Sequence, residues 1–139
     1  MSPKSTVPLN DPRGSFDLFS EKLVPTIVDA RGEKVEVDLG DYLHGVLDHP
    51  EMPSRVNWII ETLRNPEEIR RHWDKRLPYR EVYVNTIYQS EEDIEGEMHI
   101  VVIDRRWGKL RFWTTFVPQD PERYSKLVRK GKLLWKAKN

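Results

Sequence analysis

Histidine is the one side chain here that titrates near neutral pH, and two of the four histidines, His44 and His49, fall within the stretch LHGVLDHPEM. An imidazole takes up or gives a proton near pH 7 with little tuning, so the chemistry on offer is general acid–base transfer. Metal binding is not what this spacing favours. Two ligands on one helix face need a separation of four, and a separation of five turns the second ring away from the first. The chain has no cysteine, which excludes disulfides, cysteine–zinc sites and a cysteine nucleophile. It also lacks a Gly-x-Ser-x-Gly elbow, a P-loop and a Gly-x-Gly-x-x-Gly turn, so a serine nucleophile and nucleotide cofactors have no support. The expectation is a site with no cofactor and no metal.

The elements that position these residues can be read along the chain. Residues 1–14, MSPKSTVPLNDPRG, are polar, proline-rich and aperiodic, which predicts a flexible arm, and residues 15–139 then form a single domain. Phe16, Leu18, Phe19 and Leu23 suggest a short helix ended before Pro25. EKVEVDL alternates like a strand, and Asp41 is placed to cap a short helix, YLHGVLD, that stops at Pro50. Val56, Ile59, Ile60 and Leu63 recur at the spacing of one buried helix face, and Pro66 suits the start of a further short helix, EEIRRHW. Then the period changes. REVYVNTIY, EMHIVVID and KLRFWTTFV read as three successive strands, and Asp120-Pro121 opens a basic helix that Gly131 ends before LLWKA. Helices segregated from an antiparallel meander indicate an α+β domain: N-terminal helices packed on a sheet of about four strands, with one sheet face left to bind something.

The net charge of zero hides an asymmetry. Residues 1–104 hold 12 Lys and Arg against 21 Asp and Glu, whereas from Arg105 onward 11 basic residues face only Asp120 and Glu122. Either the two segments neutralise each other within the fold, or the last third is a cationic surface for a polyanion. On the second alternative Arg105, Arg106 and Lys109 neutralise a nucleic-acid strand on which Trp107 stacks, and Lys126, Arg129 and Lys130 extend the surface along the basic helix. No apolar run reaches membrane-spanning length and the start is not signal-like, so the cytoplasm is the default compartment and no membrane partner is expected.

Histidine, arginine and hydroxyl side chains are sufficient parts for cleaving RNA through its own 2′-hydroxyl. That reaction needs a base, a cation on the phosphate oxygens and a proton donor for the leaving oxygen. His44 or His49, arginines of the basic last third and a threonine hydroxyl can fill those roles. Thr114 and Thr115 point to opposite faces of one strand, so one of them alone can meet a substrate.

In order along the chain, HGVLDHPEM, VNWIIETLRNPEEIRRHW, LRFWTTFV and GKLLWK resemble the phage-associated branch of the barnase/EndoU/colicin/RelE-like ribonuclease superfamily. That branch has a histidine followed five residues later by His-Pro-Glu, here His44 and His49-Pro50-Glu51. It continues with a helix ending in Leu-x-x-Pro-acid-x-Ile, a threonine on a strand, and a closing Leu-Trp, matched by Leu63 to Ile69, Thr114-Thr115-Phe116 and Leu134-Trp135 across residues 42–136. Phe116 stands where the pattern usually has a small residue. The resemblance implies a compact α+β fold with its active site on the exposed sheet face and a metal-independent, toxin-like endoribonuclease acting on RNA. An antitoxin or immunity-type protein is then a possible partner. It implies an acid–base role for His44 or His49 and a phosphate-contacting hydroxyl on Thr114 or Thr115. Arg80, Arg105 and Arg111 are chosen by position on or beside the strands. The alternative is a non-catalytic RNA- or protein-binding module that uses the basic last third.

Overall fold

In the computed structural model, which describes residues 5–11, 14, 17, 19–46, 49–106 and 108–138, the strongest helical pattern becomes helix α2, Val56–Arg64. Its stripe of Val56, Ile59, Ile60 and Leu63 is buried, joined by a fully enclosed Trp58. The preceding helix α1 spans Leu39–Val46. Its first turn is held by Asp38, whose carboxylate accepts from the Asp41 N–H and whose carbonyl accepts from the Tyr42 N–H. Asp38 therefore takes the capping position that the sequence suggested for Asp41. Helix α3, Pro121–Val128, starts as expected, with Asp120 accepting from the Arg123 N–H.

The strands are β1 (Ser5–Thr6), β2 (Thr26–Val28), β3 (Lys34–Glu36), β4 (Glu68–Arg71), β5 (Arg80–Tyr88), β6 (Glu97–Asp104), β7 (Leu110–Phe116) and β8 (Leu133–Lys136). Seven run in one mostly antiparallel sheet in the order β2-β3-β7-β6-β5-β4-β8, with β1 beside the far end of β5. The pairs β1–β5 and β3–β7 are parallel. The α+β class holds, but the expected N-terminal helices on about four strands give way to a larger sheet with few helices. Five of the eight strands are two to four residues long, and of these β3 alone lies in a stretch, EKVEVDL, that alternates far enough to display a period of two.

The largest local correction is EEIRRHW, expected as a helix. Glu68–Arg71 is a strand paired on both edges, Ile69 lying opposite Tyr83 on one side and Trp135 on the other. Ile69 is the one apolar residue of Glu68–Arg71, and a strand buries it completely and satisfies its backbone on both neighbours. Gly131 makes the β8 pairing possible. A Cβ there would stand 1.8 Å from the Arg71 carbonyl oxygen, so the chain leaving α3 can approach β4 only without a side chain.

The first sheet face packs on α2, with Tyr83, Val101, Ile103 and Phe112 in the main core. The second carries Val82, Val84, Ile100 and Val102 against Val128 and Tyr124 of α3. Two covered faces explain why HIVVID reads as a continuous apolar run. Of the segment expected as a flexible arm, Ser5 to Asn10 are docked. Ser5 and Thr6 pair with Ile87 and Tyr88, and the Val7 carbonyl accepts from Trp58 Nε1 at 2.9 Å. Among the described residues no helix is long and apolar enough to cross a membrane.

Candidate active site on the second sheet face

The ladder fixes which side chains share the second face. Arg80, Asp104 and Arg111 lie in one row across β5, β6 and β7, then Val82, Val102 and Thr114, then Ile100 and Phe116. A register shift between Val102 and Ile103 leaves Trp113 as an extra residue. Such a bulge re-aims side chains, and here the indole lies under Arg80, whose guanidinium carbon is 4.2 Å from the ring centroid. The Arg80 side chain is largely enclosed. Its Nε is buried without a hydrogen-bond acceptor, and the nearest carboxylate oxygen, of Asp104, is 3.6 Å away. A guanidinium held by stacking and by a loose ion pair with Asp104, with its Nε–H making no hydrogen bond, is suited to an oxyanion.

At the other end of β7, His49 stacks on Phe116 with centroids 5.3 Å apart and planes at 23°. The bulky residue that departs from the usual pattern is thus the platform for this imidazole. Behind it, Glu51 Oε2 lies 3.9 Å from His49 Nδ1 and has no hydrogen bond of its own. His49, Glu51, Phe116, Arg123 and Tyr124 line a groove of about 520 Å³ between β7 and α3. Burial pushes the Tyr124 phenol well above its ordinary range, so it stays a proton-bearing hydroxyl.

Thr114 lies between these two stacks, next to Trp113 and two residues, about 7 Å along the strand, from Phe116. Helix α1 flanks the same strip. Asp41 accepts from Arg111 at 2.8 Å, and the chain reaches Phe116 by His49, so α1 runs beside β7 in the same direction. His44 is exposed and, three residues after Asp41, shares its side of the helix. Opposite, His72 stacks on Trp73 at 3.9 Å, Trp73 meets Tyr124 edge-on at 5.3 Å, and Tyr124 meets Phe116 at 5.2 Å. His72 Nδ1 accepts from the Asp74 N–H. Burial and then the Arg80 charge lower its pKa, favouring the neutral ring.

Thr115 goes the other way. Its hydroxyl is fully buried on the first face and donates to the Ile100 carbonyl at 2.8 Å, so its oxygen accepts from His99 Nε2–H at 2.8 Å. His99 Nδ1 then accepts from the Thr62 hydroxyl at 2.7 Å. Burial, with the Arg55 charge as a second cause, pushes His99 down to about 3. Thr115, a candidate phosphate contact from sequence, is instead the floor of a neutral hydrogen-bonded triad in the core.

The cations of the last third are divided. Arg105 bonds Glu33 at 2.8 Å and Glu81 at 2.9 Å, in a network with Arg31 and Asp29. Those bonds raise its pKa, and its donors are engaged away from the strip. Arg111 is spent on Asp41, Lys109 pairs with Glu36 at 3.8 Å, and Arg106 lies 4.0 Å from Asp104. These pairs match the neutralisation alternative and correct the expectation of one continuous cationic surface. Trp107 lies outside the described residues. Lys126 and Arg129 line a second groove, and Lys130 is exposed just beyond α3. Arg123, His72 and Trp113 were not among the site residues named from sequence. Only the fold brings α3, the β4–β5 connection and the β7 bulge to one face of the sheet. Among the described residues no group of three or more His, Asp or Glu gathers as a metal site.

A family model described as phage-Barnase-EndoU-ColicinE5/D-RelE like nuclease2 matches residues 15–136. The chain belongs to this family. That places it among phage-associated, nuclease-like proteins, in agreement with the resemblance read from the four motifs. No curated protein and no solved structure matches the chain.

Proposed function

We propose that this phage-associated nuclease-family protein is an endoribonuclease that works on the β7 strip without a metal. The observation that carries the proposal is the position of Thr114 between a stacked imidazole, His49 on Phe116, and a stacked guanidinium, Arg80 on Trp113. An RNA phosphate at Thr114 meets the arginine and the hydroxyl, with Arg123 closing the groove. His49 takes the proton of the 2′-hydroxyl as O2′ attacks phosphorus. The bond to the 5′ oxygen breaks, and that oxygen leaves with a proton from His44. The products are a 2′,3′-cyclic phosphate and a 5′-hydroxyl end. Glu51, with an unspent oxygen behind Nδ1, stabilises the imidazolium as it forms.

The test is incubation of the purified protein with RNA in excess chelator. Cleavage yielding cyclic phosphate ends, lost in His49→Ala, is the expected result, and expression of the wild type but not of that variant slows bacterial growth. Salt-sensitive RNA binding without cleavage supports the non-catalytic module instead. Cleavage that survives His49→Ala removes the mechanism.

A further inference from the structure

Ser5 to Asn10, which precede the family-matched residues 15–136, run as a strap from the end of β5 to the start of α2. At one end the Val7 N–H donates to the Tyr88 carbonyl at 2.7 Å, and the Ser5 hydroxyl donates to Glu61 of α2 at 3.1 Å. At the other, the Asn10 N–H donates to the Ser54 carbonyl at 2.8 Å, and Asn10 Oδ1 accepts from the Asn57 N–H at 3.2 Å. The Asn57 amide in turn donates to the Pro8 carbonyl. Asn57 is the second residue of α2, and the N–H groups of a first helical turn have no acceptor within the helix. Arg55 holds the capping position, yet its side chain makes no cap. Asn10 supplies that cap from 47 positions away, with a side chain of the type best suited to it.

The Arg55 guanidinium reaches the other way. It lies 4.8 Å from the Trp58 ring centroid and donates to the Glu51 carbonyl at 2.7 Å. The Ser54 hydroxyl donates to the same carbonyl at 3.4 Å. One turn of 3₁₀ helix, Met52–Ser54, joins these residues to the His49 segment, and the N–H of the fully buried Met52 donates to the His49 carbonyl at 3.0 Å. Both side chains that hold Glu51 by its backbone thus belong to the junction that Asn10 clasps. The same bonds fix the short segment from which His49 reaches Phe116 and Glu51 approaches Nδ1. Helix α2 as a whole is placed by its own burial, six of its nine residues being in the core, so the strap bears on the junction and not on the helix. Resting on the reading of His49 as the proton acceptor, we propose that Asn10 is a positioning residue for cleavage. The strap clasps Ser54 to Asn57, and that junction holds His49 and Glu51 over the β7 strip.

The experiment uses the full chain with two readouts. One is kcat and KM for RNA cleavage in excess chelator. The other is the NMR signals of the His49 ring, which its stack on Phe116 displaces from those of free histidine. Misplacing a catalytic group by about 1 Å costs on the order of 10²-fold. Asn10→Ala is therefore expected to lower kcat roughly ten- to a hundredfold with KM within about twofold, and to move the His49 signals toward free histidine. Asn10→Asp, which keeps a capping oxygen, restores both. Thr115→Val controls for lost stability alone: it lowers the thermal midpoint and leaves kcat and the His49 signals at their wild-type values. A wild-type kcat in Asn10→Ala, or a lowered kcat with unmoved His49 signals, overturns the proposal and leaves Asn10 a helix cap. Should Asn10→Ala not fold, Asn10→Gln, with the same amide one carbon farther out, is read in the same way. If the wild-type chain cuts no RNA, the reading of the strip fails, while the ring signals still decide whether Asn10 places His49.

Discussion

The two faces of the sheet use the same residue types to opposite ends. On the first, His99 is enclosed, neutral and bonded through both ring nitrogens to Thr62 and Thr115, and Arg105 is shared between two glutamates. On the second, His49 is a third exposed, stacked on Phe116 and bonded to no other side chain within hydrogen-bond range among the described residues. Arg80 there keeps a buried Nε–H without an acceptor. A polar group whose hydrogen bonds are complete contributes to stability and little else, because recruiting it to a ligand means breaking what it already has. One held by stacking, with donors or lone pairs unspent, is preorganised for a ligand.

The largest expected effect tests the histidines against each other. His49→Ala lowers kcat for RNA cleavage by about 10²–10⁴-fold, the usual range for a general acid or base, with the thermal midpoint close to wild type because the ring is at the surface. His99→Ala does the reverse. It leaves two buried hydroxyls short of a partner and a cavity beside Trp58, so the protein loses several kcal/mol in urea unfolding, about 3 or more, while the folded fraction still cleaves. Should His99→Ala abolish cleavage at full folding, the division between faces would be wrong.

The adjacent threonines sharpen the same contrast with one methyl-for-hydroxyl change each. Thr115→Val removes the acceptor for His99 Nε2–H and costs about 1–3 kcal/mol of stability, with kcat of the folded protein unaltered. Thr114→Val reduces kcat roughly tenfold, the loss of one hydrogen bond to a charged phosphate. Paired kinetics and denaturation curves on the two variants separate the roles.

That division could be read only in part from the sequence. Thr114 and Thr115 were placed on opposite faces by the strand period alone, but which face was chemical depended on α2 covering one of them and α3 only part of the other. His49 was visible from its motif with Pro50 and Glu51, yet its ring stack on Phe116 joins residues that no local pattern links. β4 was misread because EEIRR carries strong local helix formers, and pairing with β5 and β8 overrides them. The charge asymmetry was real, but its partners are spread along the chain. Glu33, Glu36, Asp41, Glu81 and Asp104 meet Arg105, Lys109, Arg111 and Arg106 only once β3, α1 and β5–β7 are assembled.

A smaller, graded effect comes from pH. His99 is pushed down to about 3 in the fold from an ordinary 6.5. Its neutral form is thus the one compatible with folding. The stability tied to it is complete above pH 6.5 and is lost as pH falls from there toward 3, because the unfolded chain takes up the proton that the folded chain refuses. The slope approaches 1.4 kcal/mol per pH unit. His72, also lowered, acts with the same sign. Between pH 6.5 and 5, where most carboxylates stay ionised, urea unfolding of the wild type should weaken steadily. In His99→Gln the decline should be much shallower, and an identical decline in both would mean the triad is not what couples this fold to protons.

The smallest effects fall on cations that sequence alone offered as RNA contacts. Arg105→Ala breaks the bonds to Glu33 and Glu81 and leaves the buried end of Glu81 with Arg31 alone, for a loss of about 1 kcal/mol, the upper range of a partly exposed pair. Lys109, mostly exposed and 3.8 Å from Glu36, should change unfolding imperceptibly when replaced by alanine. Neither variant should alter the salt slope of RNA binding, since a cation already neutralised within the protein releases no counterion from the nucleic acid. A slope that drops by about 0.7 in either variant would show that RNA competes successfully for these arginine and lysine side chains, and the RNA path would then cross the charged end of the sheet.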